Sequence, residues 1–322
     1  MTKKEIYSLA LFAVAALLVA GISLLCGPAG VPVFSTGSDT WRALLELRAM
    51  RIATGLIVGA ALSTAGCVLQ TILRNPLAEP YILGVSSGAS VGAAIVMSTG
   101  LSLAYPFLLP AGSFAVSLAA VALIMLIASK AGGSNIPQNL ILTGVVTGSV
   151  LSSILMLIIT FARNYTVRSI TWWLLGNLQC ASWDLLAVCA IPILLGIAFL
   201  IAQSNTLNAL LLGPENAHNL GIKTRRSIPL LICAVTLITA CAVSLSGIIG
   251  FAGLIVPHIL RRKTGSNHRI LLPLAALGGG IFMVVCDTIG KVCIPPHEIP
   301  VGVITALSGG PFFLYLLTRK QR

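Results

Sequence analysis

Acidic residues are the scarcest feature of this chain: eight Asp and Glu stand against 20 Lys and Arg in 322 residues. Charged residues of both signs make up only 9%, where an ordinary soluble domain carries roughly 25%. With 57% hydrophobic residues, there is too little polar surface to cover a soluble core. Other absences exclude chemistry. No G-x-x-x-x-G-K-[ST] stretch is present, so the chain is not expected to hydrolyse ATP by itself. No H-E-x-x-H, no convincing nucleophile–base pair and no bis-histidine spacing for haem occurs among the four His. Eight Cys show no C-x-x-C spacing and fall largely inside apolar runs, as small core residues do. Cys180 and Cys293 lie toward one face, where a single disulfide stays open.

What the chain does have is long apolar runs. Its mean hydropathy of +1.00 predicts an all-α polytopic membrane protein. About ten spans are expected at ~20 residues per crossing: roughly 6–26, 48–72, 82–100, 106–129, 139–162, 186–203, 227–246, 250–262, 270–290 and 302–318. The first follows Lys3-Lys4 and reads as an uncleaved span, because Leu25 before Cys26 is too bulky for a lipoprotein cleavage site. The eighth is too short to cross straight, and Gly247, Gly250, Gly253 and Pro257 predict a broken helix there. The chain reads as a single membrane domain over residues 1–322, with no nucleotide-binding domain.

The net charge of +12 does not point to nucleic acid, because the basic residues segregate along the chain. Lys3, Lys4, Arg74, Lys130, Lys223, Arg225, Arg226, Arg261, Arg262, Lys263, Arg269, Arg319, Lys320 and Arg322 fall on one side of the predicted membrane. Arg42, Arg48, Arg51, Arg163, Arg168 and Lys291 fall elsewhere. By the positive-inside rule both termini are cytoplasmic, and anionic head groups suffice as partner for the basic side.

Three stretches interrupt the apolar pattern. The first external loop, Gly27 to Leu47, leads into Arg48 and Arg51, two cations three residues apart. They read as interfacial anchors or as a cationic knob meeting an acidic partner. Residues 73–89 place Pro76 and Pro80 four apart, which forces a non-helical turn; Ser86 and Ser87 then fall just inside the next apolar run. Ser204 to Arg226 is the long polar stretch of the C-terminal half. There Gly213 ends one short helix, Pro214 opens another and Gly221 stops it. It reads as an ordinary loop or as a helical platform that another protein grips. Arg163 and Arg168 accompany Trp172, Trp173 and Trp183, which suit a membrane interface.

Asp287 is the one acidic residue deep inside a span. Lys291, four residues on, is the expected structural partner; the alternative is a proton or cation relay, the coupling site of an ion-driven secondary transporter. His258 after Pro257 reads as a hydrogen-bonded elbow rather than a metal ligand.

The run Arg74-Asn75-Pro76-Leu77-Ala78-Glu79-Pro80, followed by Leu83-Gly84-Val85-Ser86-Ser87-Gly88-Ala89, resembles the permease subunit of FecCD-type (type II) ABC importers, which take up siderophores, haem and cobalamin. Leu212-Gly213 with Ala217, Leu220 and Gly221 resembles the family's coupling-helix motif. Gly250 to Arg261 with His268-Arg269, and Glu298 to Val303 with Gly310-Pro311-Phe312, resemble two further family stretches. From Arg48 to the C-terminus the four motifs stand in the family's order.

The resemblance implies a type II importer fold working as a homodimer or paralogous pair, with the cargo pathway along the subunit interface. It implies two ATP-binding subunits carrying the ATP and Mg, no cofactor on this chain, and a periplasmic or lipid-anchored substrate-binding protein outside a bacterial or archaeal cytoplasmic membrane. Carried over by position, coupling helices at about 206–222 dock the ATPase through Leu212, Gly213, Glu215, Ala217, Leu220 and Gly221. The cytoplasmic gate and pathway take Asn75, Leu77, Pro137, Gln138, Ser86 and Ser87, and the binding protein meets Arg48, Arg51 and Lys291. The chain departs from the pattern in places: Arg48-Ala49-Met50-Arg51 lacks the usual proline, and Lys291 stands where arginine is common. Pro295-Pro296 with Glu298 is more similar to ferric-chelate permeases than to cobalamin ones. The expected cargo is therefore a metal chelate, a ferric siderophore first, with haem and cobalamin as alternatives.

Overall fold

The computed structural model describes residues 3–27, 38–130, 136–180 and 182–319, with backbone alone for residues 4, 38–40, 136, 137, 317 and 319. It is all-helical: α1 (Lys3–Leu25), α2 (Ser38–Ile72), a 3-10 turn (Pro80–Leu83), α3 (Val85–Ser98), α4 (Leu101–Ala104), α5 (Leu108–Lys130), α6 (Ile136–Phe161), α7 (Asn164–Leu174), α8 (Trp183–Ala202), α9 (Ser204–Leu211), α10 (Pro214–Asn219), α11 (Thr224–Ser246), α12 (Ala252–Thr264), α13 (His268–Val292) and α14 (Val301–Arg319). Each of the ten expected spans falls on a helix. Among the described residues seven helices are long and apolar enough to cross a membrane; α3, α12 and α14 complete the set.

The helix α2 is the axis of the molecule. Its 35 residues extend about 52 Å at 1.5 Å per residue, well beyond a hydrocarbon core of about 30 Å. This corrects the expected loop from Gly27 to Leu47: Trp41, Arg42 and Glu46 ride on α2. Leucine, alanine and arginine, all good helix formers, recur through the stretch, and no Gly or Pro interrupts it between Ser38 and Gly55, so the helix extends past the apolar run. The small residues of α2 let it touch α13 backbone to backbone. A Cβ added at Gly59 would stand 2.2 Å from the Gly279 carbonyl, and one at Gly279 the same distance from the Gly59 carbonyl. Tight small-residue contact of this kind replaces hydrophobic burial as the packing force in lipid.

The expected break after α11 is present. α11 stops at Ser246, Gly247 has φ 69°, and Phe251 enters the left-handed region at φ 67° before α12 begins. Pro257 does not itself break α12. It removes the N–H that would bond the Gly253 carbonyl, and the Gln70 amide of α2 donates there instead at 3.1 Å.

The turn between α8 and α11, with the C-terminal ends of α2 and α12 and the N-terminal end of α13, makes one end of the bundle. We call this the platform end, after α9 and α10.

Candidate functional site

At the platform end two short helices project from the bundle. α9 is fixed by Leu207 and Leu210, both buried in the core. Gly213 then turns the chain at φ 105°, and Pro214 starts α10 at its first position. Gly221, at φ 86°, ends the excursion, with the Ile222 N–H closing onto the Ala217 carbonyl at 3.0 Å. The six residues predicted for ATPase docking therefore divide. Gly213 and Ala217 are buried and hold the platform's shape, whereas Leu212 (58% exposed), Leu220 (63%), Glu215 and Gly221 form its outer surface. Leu212 and Leu220 are thus two large apolar side chains left bare beside a carboxylate, on a base anchored in the core.

The proline-bounded stretch lies next to it. Asn75 caps its own turn by accepting the Leu77 N–H at 2.9 Å, and Leu77 is exposed. Arg74 takes a left-handed conformation (φ 49°), and its guanidinium passes Gly213. Ser86 and Ser87 are half-buried on the first turn of α3. Ser87, with Gly144, Gly148, Ser149 and Ser152 of α6, lines a cleft of about 470 Å3. Gln138 is exposed on the first turn of α6, and the Pro137 side chain lies outside the described residues.

Sequence reasoning gave no role to Glu79 and Tyr81, which this stretch sends into the broken segment. Glu79 Oε1 accepts the Phe251 N–H at 2.5 Å. The Tyr81 hydroxyl donates to the Ile249 carbonyl at 2.8 Å and accepts the Ile249 N–H at 3.1 Å. Backbone left open between α11 and α12 is thus satisfied by side chains, as it must be at membrane depth. A carboxylate beside two prolines was the available signal.

At the opposite end the three basic residues predicted to face a binding protein turn inward. Arg51 lays its fork on Asp287, with Nε to Oδ1 at 2.9 Å and Nη2 to Oδ1 at 2.8 Å, and sends Nη1 to Glu298 at 2.7 Å. Lys291 meets the other Asp287 oxygen at 2.5 Å, so the expected i,i+4 pair is one arm of a four-residue cluster. Two cations face two carboxylates, and Asp287 and Lys291 are each 3% exposed. Arg48 is also buried; it donates to the Leu24 and Leu25 carbonyls of α1 at 2.9 and 3.3 Å. A cavity of about 410 Å3 opens beside the cluster, lined by Arg48, Arg51, Lys291, Glu298 and Gln179. A protruding cationic knob is therefore not what these residues form. Their alternation along α2 and α13 gave no indication of a partner 236 residues away.

Comparison with known proteins places these features. The FecCD transport family matches residues 6–319. The haemin transport system permease HmuU of Yersinia pestis is 36% identical over 89% of this chain and 86% of its own. The cobalamin import permease BtuC of Halobacterium salinarum is 41% identical over 85% and 73%. A metal-chelate-type ABC transporter in an inward-facing conformation superposes with a TM-score of 0.87 at 32% identity, covering 97% of this chain and 99% of that one. The chain belongs to the FecCD transport family and is a multi-pass permease with the fold of the type II ABC importers.

Proposed function

We propose that this permease imports a metal chelate across a bacterial or archaeal cytoplasmic membrane by ATP-driven alternating access. The observation that carries this reading is the platform: Leu212, Glu215 and Leu220 exposed on a base fixed by Leu207, Leu210 and Ala217. A separate ATP-binding subunit, holding ATP and Mg, grips that surface, which puts the platform end and both termini in the cytoplasm. ATP closure pushes the platform and changes the width of the inner gate at Asn75, Leu77, Pro137 and Gln138. A substrate-binding protein delivers cargo at the opposite end, beside Arg48, Arg51 and Lys291. The pathway runs between two permease copies along α6. In support, Ser149, Ser153 and Thr160 stand exposed on that span, each donating only to a carbonyl one turn back. Hydroxyl rows facing outward suit a partner or a water-filled path better than lipid.

The residues Pro295, Pro296 and Glu298 favour a ferric siderophore as cargo. The names of the relatives in Yersinia pestis and Halobacterium salinarum bring haem and cobalamin as the second reading. The deciding experiment places the permease, co-expressed with the ATP-binding and binding-protein genes beside its own, in lipid nanodiscs. ATP hydrolysis is measured with the binding protein unloaded, then loaded with a ferric hydroxamate, haem or cobalamin. Stimulation by the ferric hydroxamate alone supports the first reading. Stimulation by haem or cobalamin alone replaces it.

A further inference from the structure

The helices α2 and α13 carry polar clusters at both ends. At the far end these are Arg51 and Asp287. At the platform end a chain of hydrogen bonds, buried at His268 and Thr71 and exposed at Asn267, joins four elements, and nothing in the docking or gate assignments uses it. His268, the first residue of α13, is fully buried. Asn208 Oδ1, on α9, accepts two bonds from it, one from the backbone N–H and one from ring Nδ1, each 2.9 Å. A carboxamide oxygen has no hydrogen to give, so Nδ1 carries a proton, and in the neutral ring Nε2 is then the acceptor. Nε2 lies 2.8 Å from Thr71 Oγ1 on α2, which places the threonine hydrogen on that bond. The Cys67 carbonyl, which Thr71 also approaches, receives Arg261 Nη2 of α12 at 3.0 Å. Asn208 Nδ2 completes the chain on Asn267 Oδ1 at 3.0 Å. Both ring nitrogens of His268 are satisfied, and their partners lie 60 and 197 residues away rather than on its own helix.

We propose that Asn208, His268 and Thr71 are the transmission of this transporter. They lock the platform to the α2–α13 pair, so that a push on the platform moves both helices as one body. The inference rests on reading α9 and α10 as the ATPase contact. Three ties along the pair support it. His268–Thr71 holds the platform end, the Gly59–Gly279 backbone contact holds the middle, and Arg51–Asp287 holds the far end. A pair clamped at three heights shifts between discrete arrangements instead of absorbing a displacement. Signals then pass both ways between the platform and the charge cluster. Asn208 is the tie that reaches the buried part of the pair: the other polar link of α9, Asn205 Oδ1 accepting from Arg269 Nε at 3.0 Å, is exposed, and the remaining contact runs through the apolar Leu207 and Leu210. All three are positioning residues.

The test uses the assembled transporter in nanodiscs and reads the change in ATP hydrolysis on adding the unloaded binding protein, together with ATPase co-purification and the thermal midpoint. In Asn208→Ala and Thr71→Val the ATPase subunits remain bound, and the change in hydrolysis shrinks by about two- to thirtyfold, the range of measured coupling losses. Asn208→Asp keeps both acceptor bonds to His268 and restores it. A purely structural role predicts a lowered midpoint with the response intact. A response within about twofold of wild type in assembled Asn208→Ala therefore overturns the proposal, as does a wild-type transporter whose hydrolysis ignores the binding protein. Should Asn208→Ala fail to assemble, Thr71→Val, which keeps the side-chain shape, decides by the same criterion. Absence of ATPase subunits from the wild-type preparation would instead bring down the platform reading itself.

Discussion

The amide of Gln70 donates 3.1 Å to the Gly253 carbonyl, the acceptor that Pro257 leaves open four residues further along α12. Gln70 Oε1 has no partner among the described residues, so the side chain is held for its donor alone. Replacing Gln70 by Leu strands a buried carbonyl, at a cost of about 1–3 kcal/mol. In a Pro257→Ala background the helix regains its own N–H, and the same replacement costs much less. Thermal midpoints of the four proteins in one detergent measure the cycle; equal losses in both backgrounds would contradict the pairing.

The cluster around Asp287 behaves as a unit. Asp287→Asn leaves the buried Lys291 without its carboxylate, beside an Arg51 held only by Glu298, and about 3–5 kcal/mol of stability is lost. Removing the excess charge as well, in Asp287→Asn with Lys291→Met, recovers part of it. The midpoint is the readout, alongside uptake by the protein that remains folded. Full stability combined with abolished uptake in Asp287→Asn is the opposite result and the mark of an ion relay.

No side chain fits between α2 and α13 at Gly59, where an added Cβ meets the Gly279 backbone at 2.2 Å. Backbone on both sides leaves nothing to yield. Gly59→Val is therefore expected to remove the monodisperse peak in size-exclusion chromatography of the solubilised permease. A normal profile would show that the two helices are not in contact there.

The platform surface separates binding from folding. Leu220→Asp and Glu215→Lys change exposed positions, so stability stays within about 0.5 kcal/mol of wild type and the midpoint barely moves, while co-purification of the ATP-binding subunit is lost. Ala217→Leu, at a fully buried site, lowers the midpoint itself. Coupled hydrolysis surviving Leu220→Asp would remove this surface from the docking site.

Much of the fold is legible from single stretches. Apolar length locates the ten spans, Gly213-Pro214 locates the turn between α9 and α10, and the glycines after Ser246 locate the break. Each is a local effect of backbone freedom or transfer energy. The early start of α2 escapes this reading because helix propagation continues past the apolar run, through Trp41, Arg42 and Glu46, whose polarity hides it from an apolar-length criterion. The direction of side chains escapes it for another reason. Arg48 and Arg51 look alike as cations at a span entrance, yet one serves α1 carbonyls and the other a carboxylate 236 residues on. Gln70 reads as an isolated polar residue in a span until the Pro257 vacancy is brought beside it. Such pairings are decided by tertiary geometry, which no periodicity encodes.

On the proposed function, ATP bound to a partner on α9 and α10 drives cargo past this permease. The most direct measurement is uptake into proteoliposomes of the assembled transporter, with the loaded binding protein on one side and ATP on the other, after ionophores have collapsed the proton and sodium gradients. Uptake is expected to persist without gradients, to stop without ATP and to be lost in Leu220→Asp. Uptake that needs a gradient and proceeds without ATP would contradict it and return Asp287 to the role of an ion-coupling site.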